Sequence, residues 1–222
     1  MKNMVELLEH AGSDNSIANT ARVSMQFGTN WSELPENYTG EQRDKLIGYL
    51  ARNRHTSPFR HTSITIRMKI PIFLARQLGK HQTGMSWNEV SRRYVATEPT
   101  FFTPSQWRAK PEGSIKQGSI DLNIPEAAGY YDKLINTSLH TYNSMLDMGV
   151  APELARMVLP QSMITEVIWT GSLMAFAHVY NLRIDAHAQV EAQDFSEQLG
   201  NIIEPLFPKA WGALTHNDKN GG

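Results

Sequence analysis

The chain of 222 residues contains no cysteine. Disulfides, thiolate metal sites and every mechanism that needs a cysteine nucleophile are therefore excluded. No apolar run approaches the roughly 20 residues that span a bilayer, and the N-terminal sequence lacks the basic and then apolar layout of a signal peptide. We therefore expect a soluble, cytoplasmic protein without a membrane partner, located in the host cytoplasm if the gene is viral.

Three catalytic or phosphate-binding motifs are also missing. There is no Gly-x-Ser-x-Gly elbow, which disfavours a hydrolase triad. Neither glycine-rich phosphate loop, G-x-x-x-x-G-K-[ST] or G-x-G-x-x-G, occurs, so any phosphate must be held by side chains and helix termini. The sequence shows no internal repeat or long linker, and we expect one domain over residues 1–222.

Positive charge is concentrated in one part of the chain. The formal net charge is -1, which disfavours a generic nucleic-acid or membrane binder. Residues 51–93 nevertheless hold nine lysines and arginines and a single acidic residue, Glu89. A basic region within an acidic protein indicates a focused anion site, for which phosphate is the commonest ligand. A solvated basic face is the alternative.

The hydrophobic pattern predicts an α+β fold, with several helices packed on a small, mostly antiparallel sheet. In "TSITIRMKI", apolar residues alternate with polar ones, which predicts a strand, and "MITEVIWTG" is a second β-prone segment. Pro71 begins a predicted helix, "PIFLARQLGKH", that puts Arg76 and Lys80 one turn apart on one face. Further helices are predicted at "KNMVELLEHAG", which Gly12 ends, at residues 40–54 and 125–149, and at "APELARMVL", "SLMAFAHVYNLR" and "HAQVEAQDFSEQLGNIIEPLF".

The predicted helix at residues 125–149 is amphipathic. Its apolar residues recur at helical spacing, and we assign them to the core rather than to a cofactor site. They are Tyr131, Leu134, Ile135, Leu139, Tyr142, Met145 and Leu146.

Two features of the C-terminal half leave alternatives open. Arg156 and Arg183 stand in mostly apolar segments, where an arginine either snorkels to the surface or is held inward by an anion or a polar ligand. His187 and Glu191 are four residues apart on a predicted helix, with Asp185 just upstream, which would suit a metal. No second ligand pair supports a metal, and a histidine that caps or hydrogen-bonds within the fold is the alternative.

Five stretches occur in one order along residues 18–191: "ANTARVSM", "RHTSPFRHTSITIRMKIPIFLARQ", "NEVSRRY", "ELARMVLP" and "NLRIDAHAQVE". In this order they resemble the sequence blocks of the flavin-dependent thymidylate synthases. The hallmark of that family is Arg-His-Arg followed after seven residues by Ser, with Asn-Glu before that Ser and Arg-Tyr after it.

The chain departs from the family pattern in three ways. It has Lys80, His81 and Gln82 where the hallmark has Arg-His-Arg. Eight residues rather than seven separate Gln82 from Ser91, which places one inserted residue within residues 83–86. Arg60 stands where the family often has a glutamate.

The resemblance implies a homotetramer with FAD and the active sites at subunit interfaces. The implied reaction is the methylation of dUMP to dTMP. The methylene donor would be 5,10-methylenetetrahydrofolate, and NADPH would supply the reducing equivalents through the flavin. Neither a metal nor a nucleic acid is implied.

The resemblance also implies the site residues. The dUMP site, drawn from more than one subunit, would contain Gln77, Leu78, Gly79, Lys80, Glu89, Val90, Ser91, Arg92, Arg93, Arg156 and Arg183. The flavin positions would be Ser57, Lys80, His81, Gln82, Glu89, Ser172 and His178, with His55 and Ser24 beside the flavin and the folate.

Arg183 matches the activating arginine of the family and is the predicted catalytic residue. Because no cysteine can add to C6 of the pyrimidine, uracil must be activated in another way. An arginine near N3 and O4 can do so by stabilising negative charge on the ring. Ser91 is assigned to positioning the nucleotide, since no base at a recognisable spacing would activate it.

Two other functions stay open. The basic region could serve a non-catalytic nucleotide- or RNA-binding module, in which aromatic residues would stack on bases, although only Trp87 and Tyr94 lie close to the positive residues. The second alternative is a family member that keeps the fold but has lost the flavin through the changes within residues 80–86.

Overall fold

A four-stranded antiparallel sheet organises the fold. The computed structural model describes residues 4–23, 31–95, 97–112 and 118–215. The sheet strands are β1 (Val5–Ala11), β2 (Ser63–Pro71), β3 (Met85–Glu89) and β6 (Ile164–Gly171), in the spatial order β1-β2-β6-β3. The short strands β4 (Arg108–Ala109) and β5 (Ile120–Asn123) form a separate pair.

The remaining elements are helical. They are α1 (Asp14–Arg22), α2 (Gly40–Arg52), α3 (Ile72–Leu78), α4 (Glu126–Asp147), α5 (Pro152–Ala155), α6 (Leu173–Arg183), α7 (Val190–Ile203) and α8 (Pro208–Thr215), with 3-10 turns at Ser57–Arg60 and Arg156–Val158. The predicted mixture of helices and a small antiparallel sheet is confirmed. Within the described ranges, the longest apolar helical stretch falls short of what a membrane crossing requires.

Strand β2 shows how the local pattern determines the core. Ile64, Ile66, Met68 and Ile70 are fully buried, whereas the alternating polar residues are partly or fully exposed. Since successive side chains of a strand point to opposite sides, one side of β2 contributes entirely to the core. Next to it, Trp169 of β6 is also fully buried and packs edge-on against other aromatic rings at centroid distances of 5.4 Å.

The N-terminal segment is a strand, and the prediction of a helix there is wrong. β1 pairs antiparallel with β2, and its Val5 and Leu7 pack against the core while Glu6 and Glu9 are exposed. Helix propensity is a weak preference, and the backbone hydrogen bonds offered by the edge of β2 override it. Gly12, with a φ of 101°, therefore follows a strand and not a helix.

Helix α4 forms as predicted, but the prediction that its apolar residues belong to the core is largely wrong. Of the seven assigned residues only Tyr142 is buried, at 1% exposure, and Leu134 is 52% exposed. The other five are partly exposed. The helical period shows that a helix has an apolar face, but not whether its own chain covers that face.

Helices α1 and α8 are absent from the predictions, and side-chain hydrogen bonds hold the start of each. At the start of α1, Ser13 and Ser16 form a capping box. Asp14 is buried, and its carboxylate accepts hydrogen bonds from the backbone amides of Lys209 (2.9 Å) and Ala210 (3.0 Å) in the first turn of α8. One side chain thereby joins the two ends of the described chain.

We predict that Asp14→Ala lowers the free energy of unfolding by about 1–3 kcal/mol, because two amides at the start of α8 lose a buried acceptor. Urea denaturation followed by circular dichroism measures the loss. Glu41→Ala is the control, since Glu41 forms an exposed pair with Lys45 (2.7 Å) and its removal should change the free energy by no more than about 0.5 kcal/mol. Equal losses in the two variants would contradict the capping role.

Candidate active site

The segment that carries Lys80, His81 and Gln82 connects helix α3 to strand β3. The prediction that Lys80 continues the helix is wrong, because α3 ends at Leu78 and Gly79 caps it. A tight turn follows, in which the amide of Met85 donates to the carbonyl of Gln82 (3.2 Å). Gly84 has a φ of 69°, a conformation that glycine adopts without strain, and it allows this turn.

One side of this segment borders a cleft of about 700 Å³, which we name the Ser172 cleft. The start of helix α6 forms the other wall, where the hydroxyl of Ser172 accepts a hydrogen bond from the amide of Ala175 (3.3 Å). The lining residues are Arg60, Thr62, Ser63, Lys80, His81, Gln82, Thr83, Gly84, Met85, Ser86, Thr170, Gly171, Ser172, Met174, Ala175 and His178. Five of the residues predicted to contact the flavin are among them.

The Ser172 cleft is electropositive. Arg60 and Lys80 line it together with two histidines, and no carboxylate is present in its lining. In the part of the chain that the structure describes, neither Arg60 nor Lys80 forms an ion pair. The first turn of α6 adds the partial positive charge of a helix N-terminus. The donor set therefore suits an anionic ligand.

The opposite side of the same segment borders a second cleft, of about 780 Å³, which we name the Trp87 cleft. It is lined by Ile72, Ala75, Arg76, Gly79, Lys80, His81, Gln82, Met85, Trp87 and Glu89. The carboxylate of Glu89 accepts a hydrogen bond from the hydroxyl of Thr165 (2.9 Å) and lies 3.4 Å from the indole nitrogen of Trp87. Lys80 to Gln82 thus form a wall shared by two adjoining clefts.

His81 lies between two residues of α6. Nε of Arg183 donates to Nε2 of His81 (3.1 Å), and the rings of His81 and His178 are 5.8 Å apart. Nε2 can accept this bond only when it carries no proton. Burial, and after it the charges of Arg183 and His178, lower the pKa of His81 to about 4. Burial also lowers the pKa of Arg183 below its ordinary value.

Arg183 also lines a third cleft, of about 510 Å³, which we name the Arg183 cleft. Gln77, Gly118, Asn181, Leu182, Arg183, Asp185, His187, Ala188 and Gln189 line it. Oε1 of Gln77, one of these residues, is buried and finds no hydrogen-bond partner among the described residues. A buried, unpaired amide oxygen is costly, and rotation of the Gln77 side chain would turn it into an acceptor for a ligand in the cleft. Arg183 is half-buried and turned inward to His81, whereas an anion or a polar ligand that would hold it stays a prediction.

Four other predicted nucleotide residues lie outside the lining of these three clefts. Nε of Arg93 is 3.6 Å from a carboxylate oxygen of Glu153, and Nε of Arg156 donates to the backbone carbonyl of Glu153 (3.2 Å). Arg92 bonds the carbonyl of Thr97. The hydroxyl of Ser91 accepts from the amide of Arg93 (3.3 Å).

The other predicted site residues are dispersed. The side chain of Leu78 is fully buried in the core, which leaves only its backbone for a ligand, whereas Val90 is 47% exposed. Ser57 begins a 3-10 turn and His55 packs against the ring of Tyr49 at 5.8 Å, and neither lines the Ser172 cleft. Ser24 lies outside the described residues.

The metal alternative finds no support in the geometry. Glu191 is buried, and its carboxylate accepts hydrogen bonds from Arg108 (2.6 Å) and Gln189 (2.9 Å). Burial alone would raise the pKa of this carboxyl, but these bonds outweigh it and the pKa is lowered. His187 instead bonds Asp185 (3.0 Å). No group of three potential metal ligands is found among residues 4–23, 31–95, 97–112 and 118–215.

Two features around these clefts escape sequence reasoning. Arg60 appears there only as a departure from a family pattern, yet it lines the Ser172 cleft. Arg108, on the β4–β5 pair, holds Glu191 at the start of α7, next to the loop that follows Arg183. The contact joins residues 83 positions apart, and no local signal could have indicated it.

Comparison with known proteins identifies the family. Residues 6–209 match the family described as thymidylate synthase complementing protein. The chain is 35% identical to a flavin-dependent thymidylate synthase of Treponema denticola, with 99% of this chain and 82% of the relative aligned. It is 36% identical to the enzyme of the same name from Kosmotoga olearia, with 96% and 90% aligned.

Solved structures agree with this result. The structure of the UMP/dUMP methylase PolB from Streptomyces cacaoi bound with 5-Br dUMP superposes with a TM-score of 0.84, at 30% identity over 96% of this chain and 94% of that one. The same enzyme bound with 5-Br UMP gives a TM-score of 0.81 at 28% identity. On the matches of sequence and fold together, the chain belongs to the flavin-dependent thymidylate synthase family.

Proposed function

We propose that the protein is a flavin-dependent thymidylate synthase that converts dUMP to dTMP. The methylene group of 5,10-methylenetetrahydrofolate would be transferred to C5 of the uracil, and NADPH would provide the electrons that reduce it to a methyl group. The observation that carries the proposal is the bond between Arg183 and His81, which joins the electropositive Ser172 cleft to the Arg183 cleft, whose lining includes Gln77 with its unpaired oxygen.

The residues of the Ser172 cleft fit FAD. Arg60 and Lys80, unopposed by a carboxylate in the cleft lining, and the start of α6 suit a diphosphate, and the volume of about 700 Å³ lies in the range of cofactor sites. When bound, FAD would supply the redox chemistry that links NADPH to the reduction of the methylene group. Lys80, His81, Gln82, Ser172 and His178 would hold it.

The Arg183 cleft fits the pyrimidine of dUMP. The guanidinium of Arg183 would stabilise negative charge on the ring, and the partly buried site makes this interaction stronger than it would be in water. Gln77 would offer its unpaired oxygen to a ring N–H. Ser91 would position the nucleotide without attacking it. These roles require no cysteine, in agreement with the sequence.

We further propose a homotetramer in which the phosphate of dUMP is bound across a subunit interface. Arg93 and Arg156, the arginines implied for the nucleotide, meet at Glu153 and do not line the Arg183 cleft. A second subunit could therefore supply them. Exposed apolar side chains of α4 and its C-cap support assembly, since Leu134 is 52% exposed and the C-cap residue Met148 is 73% exposed.

UMP is a second candidate substrate. The structural neighbour PolB is described as a UMP/dUMP methylase and has been solved with brominated forms of both nucleotides. Activity assays with UMP beside dUMP would therefore measure the preference between ribose and deoxyribose.

Three expectations stay predictions from the sequence. They are a cytoplasmic location, one domain over residues 1–222 and the lack of a nucleic-acid partner.

Purified protein should retain a flavin absorption band after incubation with FAD and gel filtration, and dUMP should shift that band because both ligands meet at His81. With dUMP, 5,10-methylenetetrahydrofolate and NADPH it should form dTMP, measured by chromatography, and omission of any one reactant should stop the reaction. Parallel reactions with UMP test the second substrate. A colourless protein without dTMP formation would contradict the proposal and favour the binding module or the flavin-free family member.

Arg183→Ala should retain FAD and the native fold but lose turnover by at least roughly 100-fold, the order of loss caused by removing one preorganised donor. Steady-state dTMP formation measures the loss, and the flavin spectrum reports the retained cofactor. Arg52→Ala, at the exposed end of α2, is the control and should leave turnover unchanged. Retention of most of the activity in the Arg183 variant would remove this residue from the mechanism.

Acid should destabilise the protein through His81. Its folded pKa of about 4 lies below the ordinary 6.5, so between these values the unfolded chain binds a proton that the folded chain does not. The stability contributed by neutral His81 is therefore complete above pH 6.5 and is lost as the pH falls towards 4.

Urea denaturation between about pH 7 and about pH 5 tests this linkage. His81→Asn keeps an acceptor for Arg183 but cannot bind a proton in this range, so it should lose less stability on acidification than the wild type. His140→Asn, at an exposed position of α4, should follow the wild type. The same pH dependence in all three proteins would show that His81 does not titrate as stated.

A further inference from the structure

Two departures from the family pattern meet in the Ser172 cleft. Gln82 replaces the second arginine of the hallmark, and Arg60 stands where the family often has a glutamate. These positions are 22 residues apart in sequence, yet both side chains line the same cleft, with Lys80 as the other cation. A positive charge missing at one position is therefore present at another position of the same cavity.

The position of Arg60 relative to helix α6 is fixed by buried hydrogen bonds. Arg60 ends the 3-10 turn Ser57–Arg60, whose Phe59 is fully buried. The hydroxyl of buried Thr62 donates to the carbonyl of Phe59 (3.1 Å) and accepts from the amide of Leu173 in the first turn of α6 (2.9 Å). The backbone that carries Arg60 is thus tied directly to the start of α6.

The charge balance of the cleft calls for an anion. Arg60 and Lys80 face a lining without a carboxylate, and in the described ranges neither is neutralised by an acidic side chain. Two cations in one cavity repel each other, and a diphosphate would remove that cost while gaining charge-assisted hydrogen bonds. In oxidised FAD, the form used in a binding titration, the diphosphate is the anionic part.

We propose that Arg60 is a cofactor-binding residue whose guanidinium pairs with the diphosphate of FAD and replaces the positive charge that the family hallmark places at position 82. The inference rests on the proposed flavin dependence. The diphosphate contact then comes from a position at which the family pattern would place an acidic residue. Flavin binding in this chain therefore depends on arginine at position 60 and tolerates glutamine at position 82.

The test is a titration of the full-length apoprotein with FAD, followed by quenching of flavin fluorescence, for the wild type and four variants. Arg60→Gln should weaken FAD binding by about 10- to 100-fold, as expected for the loss of a charge-assisted bond to phosphate, and Arg60→Glu should weaken it further. Arg60→Gln should also reduce the dependence of the Kd on salt, because one ion pair is lost. Arg52→Gln, an exposed arginine outside the cleft, should bind FAD like the wild type.

The decisive variant is the double change Arg60→Gln with Gln82→Arg. If Arg60 supplies the positive charge that position 82 lacks, an arginine introduced at position 82 should bring the Kd back to within about 3-fold of the wild type. A double variant that binds FAD as weakly as Arg60→Gln would show that a charge at position 82 cannot replace Arg60. Wild-type affinity in Arg60→Gln would overturn the assignment of Arg60, provided that the urea midpoint shows a folded protein.

The failure of the proposed function would look different. A wild-type protein that does not bind FAD at all would refute the flavin dependence and, with it, this inference. A wild type that binds FAD tightly, with Arg60→Gln equally tight, would refute only the role of Arg60.

Discussion

The pairing of β6 with β2 on one side and β3 on the other is the constraint on which the candidate site depends. Gly171, at the end of β6, is opposite Ile64 of β2 and Met85 of β3, so helix α6 leaves the sheet where β3 begins. The approach is close, since a Cβ on Gly171 would lie 2.2 Å from Sδ of Met85. The Ser172 cleft is a consequence of this strand order, because its two walls are the start of α6 and the turn before β3.

The basic region of the sequence divides between the clefts and a set of surface ion pairs along β2. Arg60, Arg76 and Lys80 line the adjoining clefts, where they suit anionic ligands. Arg67 and Lys69 lie instead on the outer side of β2, paired with Glu6 (3.4 Å) and Glu166 (3.2 Å) at exposed positions that add little stability. The two interpretations of the basic region, an anion site and a solvated face, therefore each describe a part of it.

Sequence reasoning succeeded where the signal is local. The alternation in β2 and the run of apolar residues in α6 follow directly from the spacing of side chains, and both elements have nearly the predicted bounds. It failed where a distant partner decides the structure. β1 is a strand because β2 offers it an edge, and α8 is held by Asp14 through bonds across 195 and 196 residues. The presence of Arg60 in the Ser172 cleft has the same origin, since Thr62 ties the backbone next to position 60 to α6, a contact between residues distant in sequence.

The bond between Arg183 and His81 explains which part of the hallmark can vary in this chain. A cation near a bound diphosphate would act through a field that reaches several ångströms, so the point charge of Lys80 would still attract it, and another wall of the cleft could supply a further charge. The acceptor for Arg183 has less freedom, because a hydrogen bond needs an acceptor atom with an available lone pair at a restricted distance and angle, which a lysine or arginine cannot offer. The middle histidine is therefore retained between two altered positions. Since His81 also lines the Ser172 cleft, the orientation of Arg183 depends on the segment that is proposed to hold the flavin, and under the proposed function one side chain would couple cofactor and substrate.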